Sequence, residues 1–139
     1  KYKIVFMAFA AEEAGILGAD FYVNNPLFPL SEIKFLVNLD IMGAGDQGLQ
    51  VVNGSVYREQ FNRLGDVNFQ NKDLKEIKIR GESCNSDHCP FYMKGVPSFF
   101  IYTLGGKGYY HDPNDKVENL NLDYSPKVFN LLKDFINSL

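Results

Sequence analysis

Short apolar runs alternate with helical stretches along most of this chain. Residues 4–9 (IVFMAF) and 34–40 (KFLVNLD) are dense in apolar side chains, which is typical of strands covered on both faces. Between these runs, Ile16, Leu17, Phe21 and Val23 fit one face of a helix that ends at residues 24–26 (NNP). This order of elements predicts an α/β sandwich with a largely parallel sheet.

The rest of the chain continues the alternation. Three more strands are predicted at residues 49–54, 75–80 and 97–103, and three more helices at 56–69, 87–95 and 125–139. In the last helix, Ser125 is placed as the N-cap and Pro126 as the first helical residue. A chain of 139 residues, 45% of them hydrophobic, is long enough for one core and predicts one domain.

Charge and hydropathy exclude two classes of partner. The formal net charge is -3, and no run of Lys and Arg is present that would follow phosphates, so nucleic acid is not an expected partner. No apolar stretch approaches the roughly 20 residues of a membrane span. Because the sequence opens directly on a predicted strand, we expect it to be part of a longer parent protein.

Acidic and imidazole side chains follow three of the predicted strands. Glu12 and Glu13 follow the first strand, Asp40 ends the second, and His111 lies in a loop after the last one. Because sites gather at the carboxyl ends of parallel strands, we expect these four side chains to converge on one rim. Any one of them alone is more often a turn or loop residue. Clustered carboxylates need a shared cation or proton, and oxygen with imidazole ligands indicates zinc.

Four ordered blocks give the chain a family resemblance, namely FMAFAAEEAGILGADFYV, KFLVNLDIMGAG, SDHCPFYMKGVPSFFIY and YYHDPNDKVENLN. Together they resemble the second half of a zinc-dependent aminopeptidase of the M28 family, which includes bacterial leucyl aminopeptidases. The resemblance implies a three-layer α/β sandwich with a mostly parallel mixed sheet, incomplete at the N-terminal side. Residues 1–139 would then form the C-terminal portion of a zinc exopeptidase catalytic domain.

The resemblance also implies a role for each candidate residue. Glu12 matches the general base that takes a proton from the attacking water. Glu13 and His111 match ligands of one zinc ion, and Asp40 matches a ligand of a second. The function implied is an aminopeptidase that hydrolyses N-terminal residues of peptides.

Two tyrosines precede the histidine of the last block. Tyr109 and Tyr110 come directly before His111 in the loop LGGKGYYH, so we expect one of these tyrosines or a glycine amide of the loop to shape a pocket for an apolar N-terminal side chain of the substrate.

The family pattern also has parts that this chain lacks. Family members need an earlier His-x-Asp motif and an aspartate that bridges the two metals, and neither is present. The sheet would also lack strands, so an open edge or apolar surface favours self-association.

Two other functions stay open on the same scaffold. One is a glutaminyl-cyclase-like acyltransferase with a single zinc, and the other is a non-catalytic interaction domain. Asp40, within the block NLDIMG, favours the peptidase. Exopeptidases of this type are often exported, so we expect an extracytoplasmic parent protein, either periplasmic or secreted.

The block SDHCP invites a misreading as a zinc cluster or a Cys-His nucleophile pair. His88 lies directly before Cys89, and Cys84 lies five positions before Cys89. We favour a structural role, in which this block opens a helix and Asp87 is its N-terminal anion. The two cysteines are either free buried thiols or a local disulfide, and the sequence does not choose between these.

We expect the isolated chain to bind zinc weakly or not at all and to be inactive, because two ligands for one ion and one for the other do not make a tight site. Calorimetric titration with Zn²⁺, beside a Glu13→Ala, His111→Ala double variant, measures this. Tight binding that the double variant loses, or peptidase activity in the purified chain, would contradict the expectation.

Overall fold

The computed structural model describes residues 2–72 and 74–139. Within these residues the chain forms four α-helices, four strands and two short 3₁₀ helices. In chain order they are α1 (Leu17–Asn24), a 3₁₀ helix (Leu30–Glu32), β1 (Leu36–Leu39), β2 (Gly48–Val52), α2 (Arg58–Asn71), β3 (Ile77–Ile79), α3 (His88–Met93), β4 (Ser98–Leu104), a 3₁₀ helix (Val117–Asn119) and α4 (Ser125–Ser138).

The four strands form one open sheet in the order β1–β4–β2–β3. Strand β2 has a different partner on each side. It runs parallel to β3, with Leu49 opposite Ile77. It runs antiparallel to β4, with Leu49 opposite Thr103.

Strand β1 runs parallel to β4. The amide of Leu36 donates to the carbonyl of Pro97 at 2.9 Å, and the amide of Asp40 donates to the carbonyl of Ile101 at 3.3 Å, so the pairing advances along both strands in the same direction. Two of the three pairings described are therefore parallel. The predicted α/β class and the mixed, mostly parallel sheet are confirmed.

The chain divides into two compact units, and the first contains residues up to 38 together with 84–98. Its core joins α1 and α3 through Ala19, Val23, Phe91 and Val96. The ring of Tyr22 stacks on that of Phe91, with centroids 5.6 Å apart. This aromatic contact adds to the apolar packing between the two short helices.

The second unit contains residues 39–83 and 99–139, and its two long helices, α2 and α4, pack on each other. Phe99 of β4 and Phe135 of α4 are fully buried, with stacked rings 6.1 Å apart. The apolar face of α4 presents Val128, Leu131 and Leu132 to this core. Such spacing is that of an amphipathic helix, as the sequence predicts.

The strand predicted at residues 4–9 is wrong. The structure assigns no strand there, and Phe6 is 92% exposed. A strand needs a hydrogen-bonded neighbour, and none of the four strands in the described part of the chain pairs with this segment. High β-propensity alone therefore does not make this segment a strand.

Two details of the predicted helices also differ. Helix α1 buries Ala19 and Val23, while Leu17 and Phe21 are exposed. The face of the helix that packs on the core is therefore rotated about the helix axis from the predicted face. In α4 the N-cap is Tyr124 and Ser125 is already helical. The carbonyl of Tyr124 accepts the amide of Val128 at 3.0 Å, which places the helix start one residue earlier.

The Phe99–Phe135 contact predicts a large stability difference between two phenylalanines of α4. Phe135→Ala should lower the free energy of unfolding by about 3–5 kcal/mol, because it leaves a cavity in the core. Phe129→Ala, at a position that is 68% exposed, should change it by about 0.5 kcal/mol or less. Urea denaturation of both variants measures the difference, and equal losses would contradict the packing described.

Candidate functional site

The paired glutamates lie in a tight turn just before α1. The carbonyl of Glu12 accepts the amides of Gly15 at 2.9 Å and Ile16 at 2.8 Å. Ala11 and Ile16 both have left-handed backbone, with φ of 59° and 61°. Glu12 is half-buried, whereas Glu13 is exposed. The two adjacent carboxylates therefore have different surroundings, which is compatible with different roles.

Asp40 follows the last residue of β1, where the backbone turns sharply. Asp40 is half-buried. The next residue, Ile41, is left-handed with φ of 55°, which is unusual for a β-branched side chain. The carbonyl of Ile41 accepts both the amide of Thr103, at 3.2 Å, and its hydroxyl, at 2.9 Å. These bonds hold the strained turn in place.

The segment after Asp40 stays attached to the end of β4. The amide of Ala44 donates to the hydroxyl oxygen of Thr103 at 3.1 Å. The amides of Gly45 and Gln47 both donate to the carbonyl of Leu104, at 3.2 and 3.1 Å. The backbone that follows Asp40 is therefore fixed by hydrogen bonds at Ile41, Ala44, Gly45 and Gln47.

His111 lies in a short turn of the loop between β4 and α4. The amide of Asp112 donates to the carbonyl of Tyr109 at 2.9 Å, and His111 has left-handed backbone with φ of 57°. The ring centroid of Tyr110 lies 4.0 Å from that of the imidazole. The carboxylate of Asp112 accepts the backbone amide of Asn114 at 2.8 Å, which closes the turn.

The candidate residues divide between the two units. Glu12 and Glu13 belong to the first, and Asp40 and His111 belong to the second. Their convergence on one rim stays a prediction. Carboxylate and imidazole are suitable zinc ligands by type. Within residues 2–72 and 74–139, no group of three or more His, Cys, Asp and Glu side chains is placed to hold a metal ion.

The block SDHCP has a structural place in the first unit. Cys84 and Cys89 form a disulfide with Cα atoms 4.7 Å apart, which decides between the two states that the sequence left open. Asp87 is the N-cap of α3, and His88, its first residue, is fully buried. Ser86 accepts a hydrogen bond from the side-chain amide of Asn38 at 2.8 Å. This environment agrees with the structural role favoured for His88.

Two residues of the second unit were missed in reading the sequence, namely Thr103 and Asp46. Thr103 bonds the turn after Asp40, and the carboxylate of Asp46 accepts the amide of Gly106 at 2.8 Å. A threonine at the end of a strand and an aspartate between glycines carry no periodic signal, so only the fold reveals their contacts.

The loop after Asp40 depends on one glycine in particular. Gly45 has φ of +133°, and a Cβ there would lie 2.7 Å from the Cβ of Tyr124. Gly45→Ala should therefore destabilise the protein by about 1–3 kcal/mol. Gly65→Ala is the matched control, because a Cβ added at this position on α2 would meet no atom outside the local helix backbone within 4 Å, and alanine favours a helix by about 0.5–1 kcal/mol. Thermal unfolding measures both, and shifts in the same direction would contradict this account.

Comparison with known proteins gives one family and a shared fold. Residues 1–136 match the family described as Peptidase family M28. The Aminopeptidase YwaD of Bacillus subtilis is 29% identical over 135 residues, which cover 86% of this chain and 28% of that protein. The chain thus spans less than a third of the length of this curated relative.

Two solved structures share the fold. BSAP, a zinc aminopeptidase from Bacillus subtilis, superposes with a TM-score of 0.76 at 22% identity, covering 94% of this chain and 34% of BSAP. Porphyromonas gingivalis glutaminyl cyclase superposes with a TM-score of 0.74 at 14% identity, covering 96% of this chain and 50% of the cyclase. The match over residues 1–136, together with the four sequence blocks, shows that the chain belongs to peptidase family M28.

Proposed function

We propose that the protein is a zinc-dependent aminopeptidase that hydrolyses N-terminal residues of peptides. The observation that carries this proposal is the family match over residues 1–136. The similarity to YwaD, an aminopeptidase, and to BSAP, a zinc aminopeptidase, supports the same activity. The turn gives Glu12 and Glu13 different surroundings, which supports different roles for the two carboxylates, one as a base and one as a metal ligand.

In this proposal the chain supplies part of a site for two zinc ions. Glu13 and His111 are ligands of the first ion, and Asp40 is a ligand of the second. The remaining ligands come from protein outside these 139 residues. When bound, zinc polarises the scissile carbonyl and lowers the pKa of water.

Glu12 is the general base of the proposed reaction. Its carboxylate takes a proton from the attacking water and passes it to the nitrogen of the leaving amine, so that the peptide bond breaks and a free amino acid is released. Tyr109 or Tyr110 contacts the N-terminal side chain of the substrate. The ring contact between Tyr110 and His111 supports this placement next to a metal ligand.

Two alternatives give different products and are separated by assay. The fold likeness to glutaminyl cyclase allows a single-zinc acyltransferase, which would cyclise an N-terminal glutamine and release ammonia. A non-catalytic interaction domain would do neither. Hydrolysis of aminoacyl p-nitroanilides by the full-length protein, without cyclisation of glutaminyl peptides, is the expected result.

The proposal includes an extracytoplasmic location. The Cys84–Cys89 disulfide supports it, because disulfides persist in oxidising compartments. In the part of the chain that the structure describes, no helix is both long and apolar enough to cross a membrane.

Exposed apolar side chains at Ile4, Val5 and Phe6 support self-association of the isolated chain, which sedimentation velocity would measure.

Glu12→Gln in the full-length protein tests the proposed base. It should lower kcat by about 10²- to 10⁴-fold, because proton transfer is lost, while bound zinc stays unchanged. Glu13→Gln should instead lower the zinc content. Glu118→Gln, in the exposed 3₁₀ helix Val117–Asn119, is the control and should change neither.

Zinc content by mass spectrometry and steady-state kinetics separate these outcomes. Full activity in Glu12→Gln would reject Glu12 as the base. Unchanged zinc content in Glu13→Gln would reject Glu13 as a ligand.

A further inference from the structure

Asp46 links two loops of the second unit beyond the end of β4. Its carboxylate Oδ1 accepts the backbone amide of Gly106 at 2.8 Å. The backbone at residues 105–106 lies close to the segment that contains Asp46. A Cβ on Gly105 would overlap the same carboxylate, and a Cβ on Gly106 would lie 3.1 Å from the Cβ of Ala44. The contact joins the segment after Asp40 to the segment that leads to His111.

The hydrogen bond between Asp46 and Gly106 lies just beyond the last backbone hydrogen bonds between these two segments. Up to Leu104, amides of the segment 43–47 bond the end of β4 directly. At Gly106 the partner is a side chain, and that side chain carries a negative charge. A hydrogen bond from an amide to a carboxylate is stronger than one between neutral groups.

Side-chain hydrogen bonds connect Lys107, the residue after Gly106, with the turn at His111. The ammonium of Lys107 donates to the Oδ1 of Asn119 at 2.9 Å, and the Nδ2 of Asn119 donates to the carbonyl of Asn114 at 2.8 Å. The Nδ2 of Asn114 in turn donates to Asp112 at 2.9 Å. A tether at the start of this loop therefore restricts the turn that presents the imidazole.

We infer that Asp46 is a positioning residue that fixes the loop of His111 relative to the turn after Asp40. The inference rests on the proposed function, in which both residues bind zinc. In this role Asp46 binds no metal or substrate itself and acts through its hydrogen bond with the amide of Gly106. Loss of its carboxylate frees the start of the loop, so that the imidazole samples orientations in which it does not bind the metal.

Asp46→Ala, Asp46→Asn and the control Asp123→Ala, which removes an exposed carboxylate in the same unit, test this inference in the full-length protein. The first measurement is amide hydrogen exchange without metal. In Asp46→Ala, exchange at Gly106 should be about 10- to 100-fold faster, as expected when a hydrogen bond to a charged group is lost. Asp46→Asn keeps an acceptor oxygen and should restore much of the protection.

The second measurement is the affinity for Zn²⁺ and the visible absorption of the Co²⁺-substituted protein. Asp46→Ala should weaken metal binding about tenfold and shift the Co²⁺ bands, with Asp46→Asn in between. Asp123→Ala should match the unmodified protein. Unchanged exchange at Gly106, or faster exchange with unchanged affinity and bands, overturns the inference.

The two proposals fail in distinguishable ways. If the unmodified protein neither binds zinc nor hydrolyses aminoacyl p-nitroanilides, the proposed function is overturned, and with it the metal-related role of Asp46. The exchange rate at Gly106 still decides whether Asp46 tethers the loop, because that measurement contains no metal.

Discussion

Strand β4 hydrogen-bonds to β1 on one side and to β2 on the other, and the candidate site of the second unit is built where that double pairing ends. The hydroxyl of Thr103 and the carbonyl of Leu104 extend the hydrogen bonding past the strand, onto the segment after Asp40. The same strand then leads into the loop of His111. One element thus sets the position of two candidate ligands that are distant in sequence.

Left-handed backbone recurs at the candidate residues. Ala11 precedes Glu12, Ile41 follows Asp40, and His111 itself has positive φ. For non-glycine residues such conformations cost about 1–3 kcal/mol each and persist only where surrounding contacts enforce them. At Ile41 the enforcing contacts are the two bonds from Thr103. Asn53 and Lys72, which lie outside the four sequence blocks, also have positive φ, so such backbone is not confined to the candidate residues.

Local signals in the sequence predicted most of the elements, because α4 and β4 bury apolar residues in patterns that can be recognised without knowing their partners. They did not predict the state of residues 4–9, since strand formation depends on a neighbour that is distant in sequence. The glutamates, Asp40 and His111 were singled out by their positions after predicted strands, and the family blocks implied a role for each. Asp46 and Thr103 were not, because their contacts join residues 60 and 62 positions apart.

The strand order has a consequence for how the chain folds. Strand β4 must pair with β1 and β2, which lie far earlier in the chain, as the pairing of Gly48 with Leu104 shows, so large loops close before either pairing gains hydrogen bonds. Sheets built from such distant pairings fold slowly compared with helical bundles of the same size. Until β4 arrives, the inner edges of β1 and β2 are exposed to other chains, and newly made protein is at its most vulnerable to aggregation during that interval.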